Sequence, residues 1–264
     1  MAALQLRQAV ASPALRGLIR GYQQRVGTID GSGIVLPLPA RPNSFIEIYF
    51  GTPYRADKGE GFSVVADAMM VGATTCRHTD LLMQGDIGAF NIQFEPSGLQ
   101  RMFGVAMVDR AEAATCVGGC RLQGLRDAVL RAPDFESRIG AAERWLHARL
   151  ADVRPYDEVD HAARLLRRAR GTLNLDQLAA AAGLGRRQLQ RRFLAQVGVT
   201  PKLYARIVRF DALLCERDAC PDRQWTMLSQ DFGYFDQAHL QRDFHAFAGA
   251  APGGFASLLP VLPA

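Results

Sequence analysis

Lysine is nearly missing from this chain: Lys58 and Lys202 are the only two, so arginine supplies 29 of the 31 basic residues. A bias of that kind can be genome composition alone, and only its position along the chain can give it meaning. Long hydrophobic runs are also missing. Gly88 to Phe94 and Ala179 to Leu184 are short and interrupted, far from the roughly 18 to 20 apolar residues of a membrane span. Met1 to Val10 carries Gln5, Arg7 and Gln8 among its apolar residues and has no signal-peptide core, so the expectation is a soluble, cytoplasmic chain with no membrane partner. Cysteines number five, at unmatched spacings, which argues against a disulfide framework. Cys116-x3-Cys120 lacks the second Cys or His pair that a zinc site needs, and His78 stands alone next to Asp80. No metal or other cofactor is therefore expected.

What is present is ample apolar material: 264 residues, 48% hydrophobic, enough for two ordinary domains each with a core, and incompatible with a disordered or fibrous chain. The net charge of +5 and pI near 9.2 permit an anionic partner without demanding one.

The first part has the punctuation of a β-rich domain. Ser44 to Phe50, Phe62 to Val65 and Ile87 to Phe94 have strand composition bounded by Gly, Pro and Asp. Ile46, Ile48 and Phe50 alternate with Glu47 and Tyr49, the period of a half-buried strand. Near residue 120 the period changes. Leu122, Leu125, Val129 and Leu130 recur at helical spacing, then Phe135, Ile139, Ala142, Trp145, Leu146 and Leu150, with Pro133 between the two sets. These two helices, over about 121–150, pack either on their own domain or in a dimer seam. Asp152 to Asp157, with Pro155 inside, reads as the connection between domains 1–155 and 156–264. Beyond it the pattern is helical: Val159, Ala162, Ala163, Leu166 and Ala169 form one helix closed by Gly171, and Asn174 or Asp176 caps the next. After Gly183-Leu184-Gly185 a further helix runs from Arg186 to about Val197.

Helix, glycine turn, helix is the helix-turn-helix pattern, which is weak evidence by itself. Three features strengthen it. Residues 188–204, shifted by 51, fall on 239–255 with seven of 17 positions identical. The shared residues include Leu189/Leu240, Gln190/Gln241, Arg191/Arg242, Phe193/Phe244, Gly198/Gly249 and Pro201/Pro252, so one helical unit occurs twice. Next, Leu189 and Phe193 lie on one helix face while Gln190 and Arg191 lie on another, and the second copy repeats this division. Gln can pair with the N6 and N7 edge of adenine, and Arg with O6 and N7 of guanine. Finally, residues 186–209 hold seven basic residues and no acid, whereas 211–243 hold seven acids and three bases. The basic patch offers Arg186, Arg192, Lys202 and Arg206 as phosphate contacts.

In these features the chain resembles the AraC/XylS transcription regulators over about 160–258. The motif runs Pro201-x-x-Tyr204-x-Arg206-x-x-Arg209-Phe210, then Gly233-Tyr234-Phe235-Asp236-Gln237-Ala238-His239-Leu240-x-Arg242-x-Phe244, then Pro252-x-x-Phe255. The resemblance implies an α+β chain of two domains: a β-rich, cupin-like or related N-terminal domain with helices, then an all-α domain of two helix-turn-helix units (about 174–197 and 225–247) joined by a long helix (about 201–216). It implies base reading by Arg187, Gln190 and Arg191 in the first unit and by Gln237, His239, Gln241 and Arg242 in the second, with Asp236 as a helix cap. Implied partners are double-stranded DNA, a small-molecule effector, RNA polymerase and a second copy of the chain. Two departures are Ser229 where the family commonly has alanine, and Pro252-Gly253-Gly254-Phe255, expected to be a more flexible turn than usual.

The N-terminal half resembles the family's sensing domains only loosely. Glu47, Tyr49, Asn91 and Gln93 are the polar members of two central-looking strands and either line an effector cavity or face outward. The expected function is a sequence-specific DNA-binding regulator and not an enzyme. Rival readings are a cupin-type enzyme, which lacks the His cluster, a DNA-repair enzyme, which lacks clustered Cys ligands, and a DNA-free interaction protein.

Overall fold

The structure is a computed structural model that describes residues 4–57, 59–77, 79–107 and 119–258. It has the two-domain α+β architecture expected from the sequence. Strands β1 (Gln5–Val10), β2 (Ile19–Leu38), β3 (Ser44–Tyr49), β4 (Arg55–Asp57), β5 (Phe62–Val64), β6 (Ala68–Val71) and β7 (Thr79–Phe94) form one sheet. Its order is β1-β2-β7-β3-β6, with β4 paired to both β5 and β7, and every pairing is antiparallel.

Strand register explains which side chains go inside. Tyr22 pairs with Ile92 and Gln24 with Phe90, while Ile46 and Ile48 pair with the same two residues from the other side. Alternation therefore puts Tyr22, Ile46, Ile48, Phe90 and Ile92 on one face. Helices α1 (Gly98–Phe103), α2 (Gly119–Arg131) and α3 (Phe135–His147) follow the sheet. Leu122, Leu125, Val129, Phe135, Ala142 and Leu146 from α2 and α3 join that face in one buried cluster. The two helices thus pack on their own domain, and Leu130 points away from the core, 38% exposed. On the opposite face Tyr49, Tyr54, Met69, Val71, Met83 and Ile87 form a second cluster. β3 is buried on both faces, with Glu47 and Tyr49 inside, in place of the half-buried strand that its alternation suggests.

After a 3-10 turn at Leu150–Asp152, the C-terminal domain runs through α4 (Glu158–Arg168), α5 (Leu175–Ala182), α6 (Arg186–Val197), α7 (Pro201–Ala219), α8 (Trp225–Asp231), α9 (Gln237–Ala248) and α10 (Pro252–Leu258). Asp157 caps α4 through a reciprocal capping box with Asp160, and Asn174 does the same for α5 with Gln177. Leu189 and Phe193 anchor the first helical core, and Leu240 and Phe244 the second. Truncating any of these phenylalanines to alanine would cost about 3 to 5 kcal/mol. The repeat extends to ring contacts: Phe193 lies 5.6 Å from Tyr204 and Phe244 6.2 Å from Phe255. That contact also explains the end of the chain. Instead of a flexible turn, Pro252 opens α10, its fixed φ suiting a first helical turn, and Phe255 locks the helix onto the second core.

The two domains are packed together. Ala40 is a member of the second helical core and Ala73 of the first. The Ala40 N–H donates to the Phe247 carbonyl at 2.8 Å, Arg41 pairs with Asp211 at 2.6 Å, and the Tyr204 hydroxyl donates to the Pro42 carbonyl at 3.3 Å. Residues 39–43 are therefore a strap from the sheet across α7 to the end of α9. Gly198, with φ of 92°, sits so near the N-terminal domain that a Cβ there would lie 2.5 Å from the Met107 carbonyl oxygen. No helix among the described residues is long and apolar enough to cross a membrane.

Candidate nucleic-acid interface

The second helix of each unit carries the candidate reading residues because its two faces have opposite chemistry. On α6, Leu189, Phe193 and Val197 are buried while Arg187, Gln190 and Arg191 are exposed. On α9, Leu240, Phe244 and Phe247 are buried while Gln237, Gln241 and Arg242 are exposed. Each helix starts and stops under local control. Gly185 opens α6 and left-handed Gly198 closes it; Asp236 caps α9 by accepting the His239 N–H at 2.6 Å, and left-handed Gly249 closes it. Arg187, Arg191 and Arg242 form no ion pair among the described residues, so their guanidinium groups are free for an outside acceptor.

His239 differs from the other six. It is half-buried, its ring edge-on to Tyr234 at 5.0 Å, and it borders a cleft of about 490 Å³ between the two units. The first unit and α7 line the rest of that cleft with Asn174, Arg186, Gln190, Lys202 and Arg206. Cations thus gather where the two units meet.

The four phosphate candidates separate on inspection. Lys202 is exposed with no ion pair among the described residues. Arg186 is exposed and pairs loosely with the equally exposed Asp176 at 3.1 Å, a contact worth little in water. Arg192 and Arg206 differ from these two, because both are paired with carboxylates of the protein itself. Arg192 bridges Asp157 and Glu158, each at 2.8 Å, and the hydrogen bonds it donates to the Glu158 and Asp157 carboxylates hold its guanidinium above its ordinary value. Burial raises Asp157, but hydrogen bonds from Gln196, the Asp160 N–H and Arg192 outweigh it and leave that carboxyl low. Arg206 donates to Asp243 at 2.6 Å, and Asp243 is 1% exposed. A buried carboxylate without that partner would be strongly unfavourable.

Two residues near the site escape a sequence reading. Arg209 donates to the Gly171 carbonyl at 2.9 Å and the Gly233 carbonyl at 3.4 Å, tying the closing turn of α4 to the turn of the second unit. Nothing in its spacing signals that role. Phe235 is 94% exposed in the second turn, which spans residues 232–236 against 183–185 in the first.

In the N-terminal domain, Glu47 and Asn91 pair directly across β3 and β7, and Gln93 pairs with Phe45. Alternation puts Glu47, Tyr49, Asn91 and Gln93 on the face away from α2 and α3. The Tyr49 hydroxyl donates to Glu47 at 2.9 Å, and burial, then the Glu47 carboxylate, raise its pKa well above the usual tyrosine value. Arg25, which the sequence does not single out, lies 3.6 Å from Glu47. Asn91 Oδ1 and the Tyr54 hydroxyl are buried with no hydrogen-bond partner satisfying ordinary geometry. Gln93 is only half-buried and stands apart from this cluster. Among the described residues no group of three or more His, Cys, Asp or Glu is placed to hold a metal ion; His78 and Cys116 lie outside the described residues.

Residues 178–257 match a family model described as a helix-turn-helix domain, a span that contains α6 and α9 and both reading faces. No curated relative matches the chain. Solved structures of ToxT from Vibrio cholerae share the fold: one at 9% identity covers 90% of this chain and 98% of its own with a TM-score of 0.53. Another, at 9% identity, covers 91% and 98% with a TM-score of 0.50. A third, bound to (E)-4-(8-methylnaphthalen-1-yl)but-3-enoic acid, covers 90% and 99% at 8% identity with a TM-score of 0.50. At these identities the likeness is one of fold, and it extends over both domains.

Proposed function

From a C-terminal domain that is a double helix-turn-helix of the AraC/XylS type, we propose that the protein is a sequence-specific DNA-binding transcription regulator whose N-terminal domain responds to a small-molecule effector. The observation that carries the reading is the outward Gln-Arg pair present on both α6 and α9, each exposed and each opposite a buried Leu-Phe anchor. Packing accounts for the anchors and leaves the Gln-Arg pairs unexplained, whereas base pairs in a major groove use both side chains. Arg187, Gln190, Arg191, Gln237, Gln241 and Arg242 read bases, His239 is held at the edge of the same surface, and Lys202 and Arg186 face phosphate.

Effector control is supported by packing. Ala40 and Ala73 place the N-terminal domain in both helical cores, so a change at the sheet reaches both units. One ToxT structure is described with a small carboxylic acid bound. In this chain Glu47, Tyr49 and Asn91, joined by Arg25, are the candidate polar lining of an effector site within the sheet.

The test is electrophoretic binding to the DNA upstream of the chain's own coding sequence across a salt series. The logarithm of affinity should fall with log salt at a slope of about −0.9 for each phosphate neutralised. Binding that is absent or insensitive to salt would favour a DNA-free interaction protein.

A further inference from the structure

Phe235 is the most exposed large apolar side chain among the described residues, and it stands directly in front of the helix that carries the second reading face. The two turns differ in a way that accounts for it. In the first, left-handed Gly183 closes α5 and the Leu184 N–H donates to the Ala179 carbonyl at 3.0 Å. In the second, Gly233 is left-handed in the same way, with φ of 68°, and the Tyr234 N–H donates to the Ser229 carbonyl at 2.9 Å. Leu184 packs against the first helical core and Tyr234 is a buried member of the second, so Tyr234 does in its unit what Leu184 does in the other. Gly185 then opens α6 at once, whereas Phe235 comes between Tyr234 and Asp236, the cap of α9.

An apolar residue just before a helix cap ordinarily packs against the fourth residue of the helix. Leu184 and Leu189 hold those two places in the first unit and share its core. In the second unit Leu240 is in the core and Phe235 is outside it. Its position is nevertheless fixed from both sides. Tyr234 lies under the Arg209 guanidinium at 5.7 Å and edge-on to His239 at 5.0 Å, while Asp236 accepts the His239 N–H. Phe235 cannot withdraw from water without disturbing the cap or the core.

We propose that Phe235 is a base-reading residue that recognises thymine, its ring set against the C5-methyl group in the major groove. The N-terminal end of a recognition helix is the end that reaches base edges, and exposed Gln237 and Gln241 follow Phe235 on α9. The thymine methyl is the apolar group that a base pair shows in that groove, and phenylalanine is among the side chains that contact it. Charge favours the same assignment. Residues 211–243 hold seven acids against three bases, so phosphate attraction gives the second unit little, and an apolar contact needs none. The assignment rests on the DNA-reading function proposed above.

The experiment uses the full chain and the upstream DNA, with deoxyuridine put in place of thymine one position at a time, a change that removes only the methyl group. Anisotropy gives the affinity of each duplex for the wild type, Phe235→Ala and Phe235→Leu, and thermal unfolding gives the stability of the same samples. In the wild type, loss of the methyl at one or two adjacent positions should weaken binding about fourfold, as expected for one buried methyl group. Phe235→Ala should bind the unmodified duplex roughly tenfold more weakly, with melting temperature and salt slope unchanged, and should be indifferent to deoxyuridine at those positions. Phe235→Leu keeps an apolar side chain and should keep part of the methyl effect. No methyl-sensitive position, or a methyl effect of the same size in Phe235→Ala, would overturn the assignment, and so would an equal loss of affinity for every duplex, a scrambled one included. A wild type with no preference for the upstream DNA over a scrambled duplex would overturn both this assignment and the proposed function. A preference that ignores Phe235 and the methyl groups would overturn this assignment alone.

Discussion

Replacing Arg206 with alanine separates a structural arginine from a DNA-contacting one. Arg206 donates to Asp243 through Nη2 at 2.6 Å and through Nε at 3.2 Å, and its guanidinium lies 4.9 Å from the Phe247 ring. Removing one member of a buried pair costs about 3 to 5 kcal/mol because the other charge is left uncompensated. Here the carboxylate is fully buried but the arginine side chain is 37% exposed, so part of the interaction is screened. We therefore expect Arg206→Ala to lose roughly 2 to 3 kcal/mol. In a chain of this size that is a fall of about 4 to 12 °C in melting temperature. Urea denaturation followed by circular dichroism measures the loss directly. Replacing both partners with apolar residues, Arg206→Met with Asp243→Leu, should recover most of it. The salt slope of DNA binding, measured where the variant is folded, should be unchanged. A variant of wild-type stability whose slope falls by about 0.9 would mark Arg206 as a phosphate contact and refute the reasoning.

Other predictions follow from the same geometry. Lys202→Ala should show the opposite profile, with unaltered stability and a salt slope shallower by about 0.9, because its side chain is exposed and has no ion pair among the described residues. Arg191→Ala should weaken binding to the upstream DNA more than Arg242→Ala at the same salt, since the cations of the cleft cluster around the first unit and the second unit has an acidic surplus; titration of both variants by anisotropy decides the order. Ala40→Leu should destabilise the chain by roughly 1 to 3 kcal/mol through overpacking of the second core, read as a lower urea midpoint. Asp157 has its folded pKa below its unfolded value, so the stability it contributes is complete above the unfolded value, about 4, and is lost as pH falls through the folded value. Arg192→Gln removes one of the hydrogen bonds that lower it, and should make urea stability fall less between pH 5 and pH 3 than it does in the wild type.

The C-terminal domain was legible because its information is local and repeated. Leu189 and Phe193 sit four apart, Gln190 and Arg191 fall on another face, and the same letters recur 51 residues later, so periodicity alone separates core from surface. Caps were readable for the same reason: Asn174 and Asp236 bond to amides within three residues. The pairing of Arg206 with Asp243 spans 37 residues and depends on how α7 crosses α9, which no spacing encodes. Charge counting could not distinguish Arg192 from Lys202, because the difference lies in which acids the fold brings near. In the N-terminal half, β2 is interrupted in sequence by Gly27, Gly31 and Gly33, which hides a strand of 20 residues. β3 is legible as a strand, but its alternation leaves open whether Glu47 and Tyr49 point inward or outward, and only the second face of the sheet shows them buried. The strap at 39–43 has only turn composition, and its insertion of Ala40 into a core built more than 160 residues later is a property of tertiary packing.

The central claim is that the paired Gln and Arg of α6 read DNA sequence. The most direct measurement compares affinity for the upstream DNA with affinity for a scrambled duplex, at one fixed salt concentration, for the wild type and for the Gln190→Ala, Arg191→Ala double variant. A good bidentate pair contributes about 1 to 3 kcal/mol of base discrimination, so the specificity ratio of the wild type should be well above one. In the double variant it should fall at least tenfold, while binding to the scrambled duplex drops only modestly. A wild-type ratio near one, or a ratio that survives the double substitution, would contradict the account.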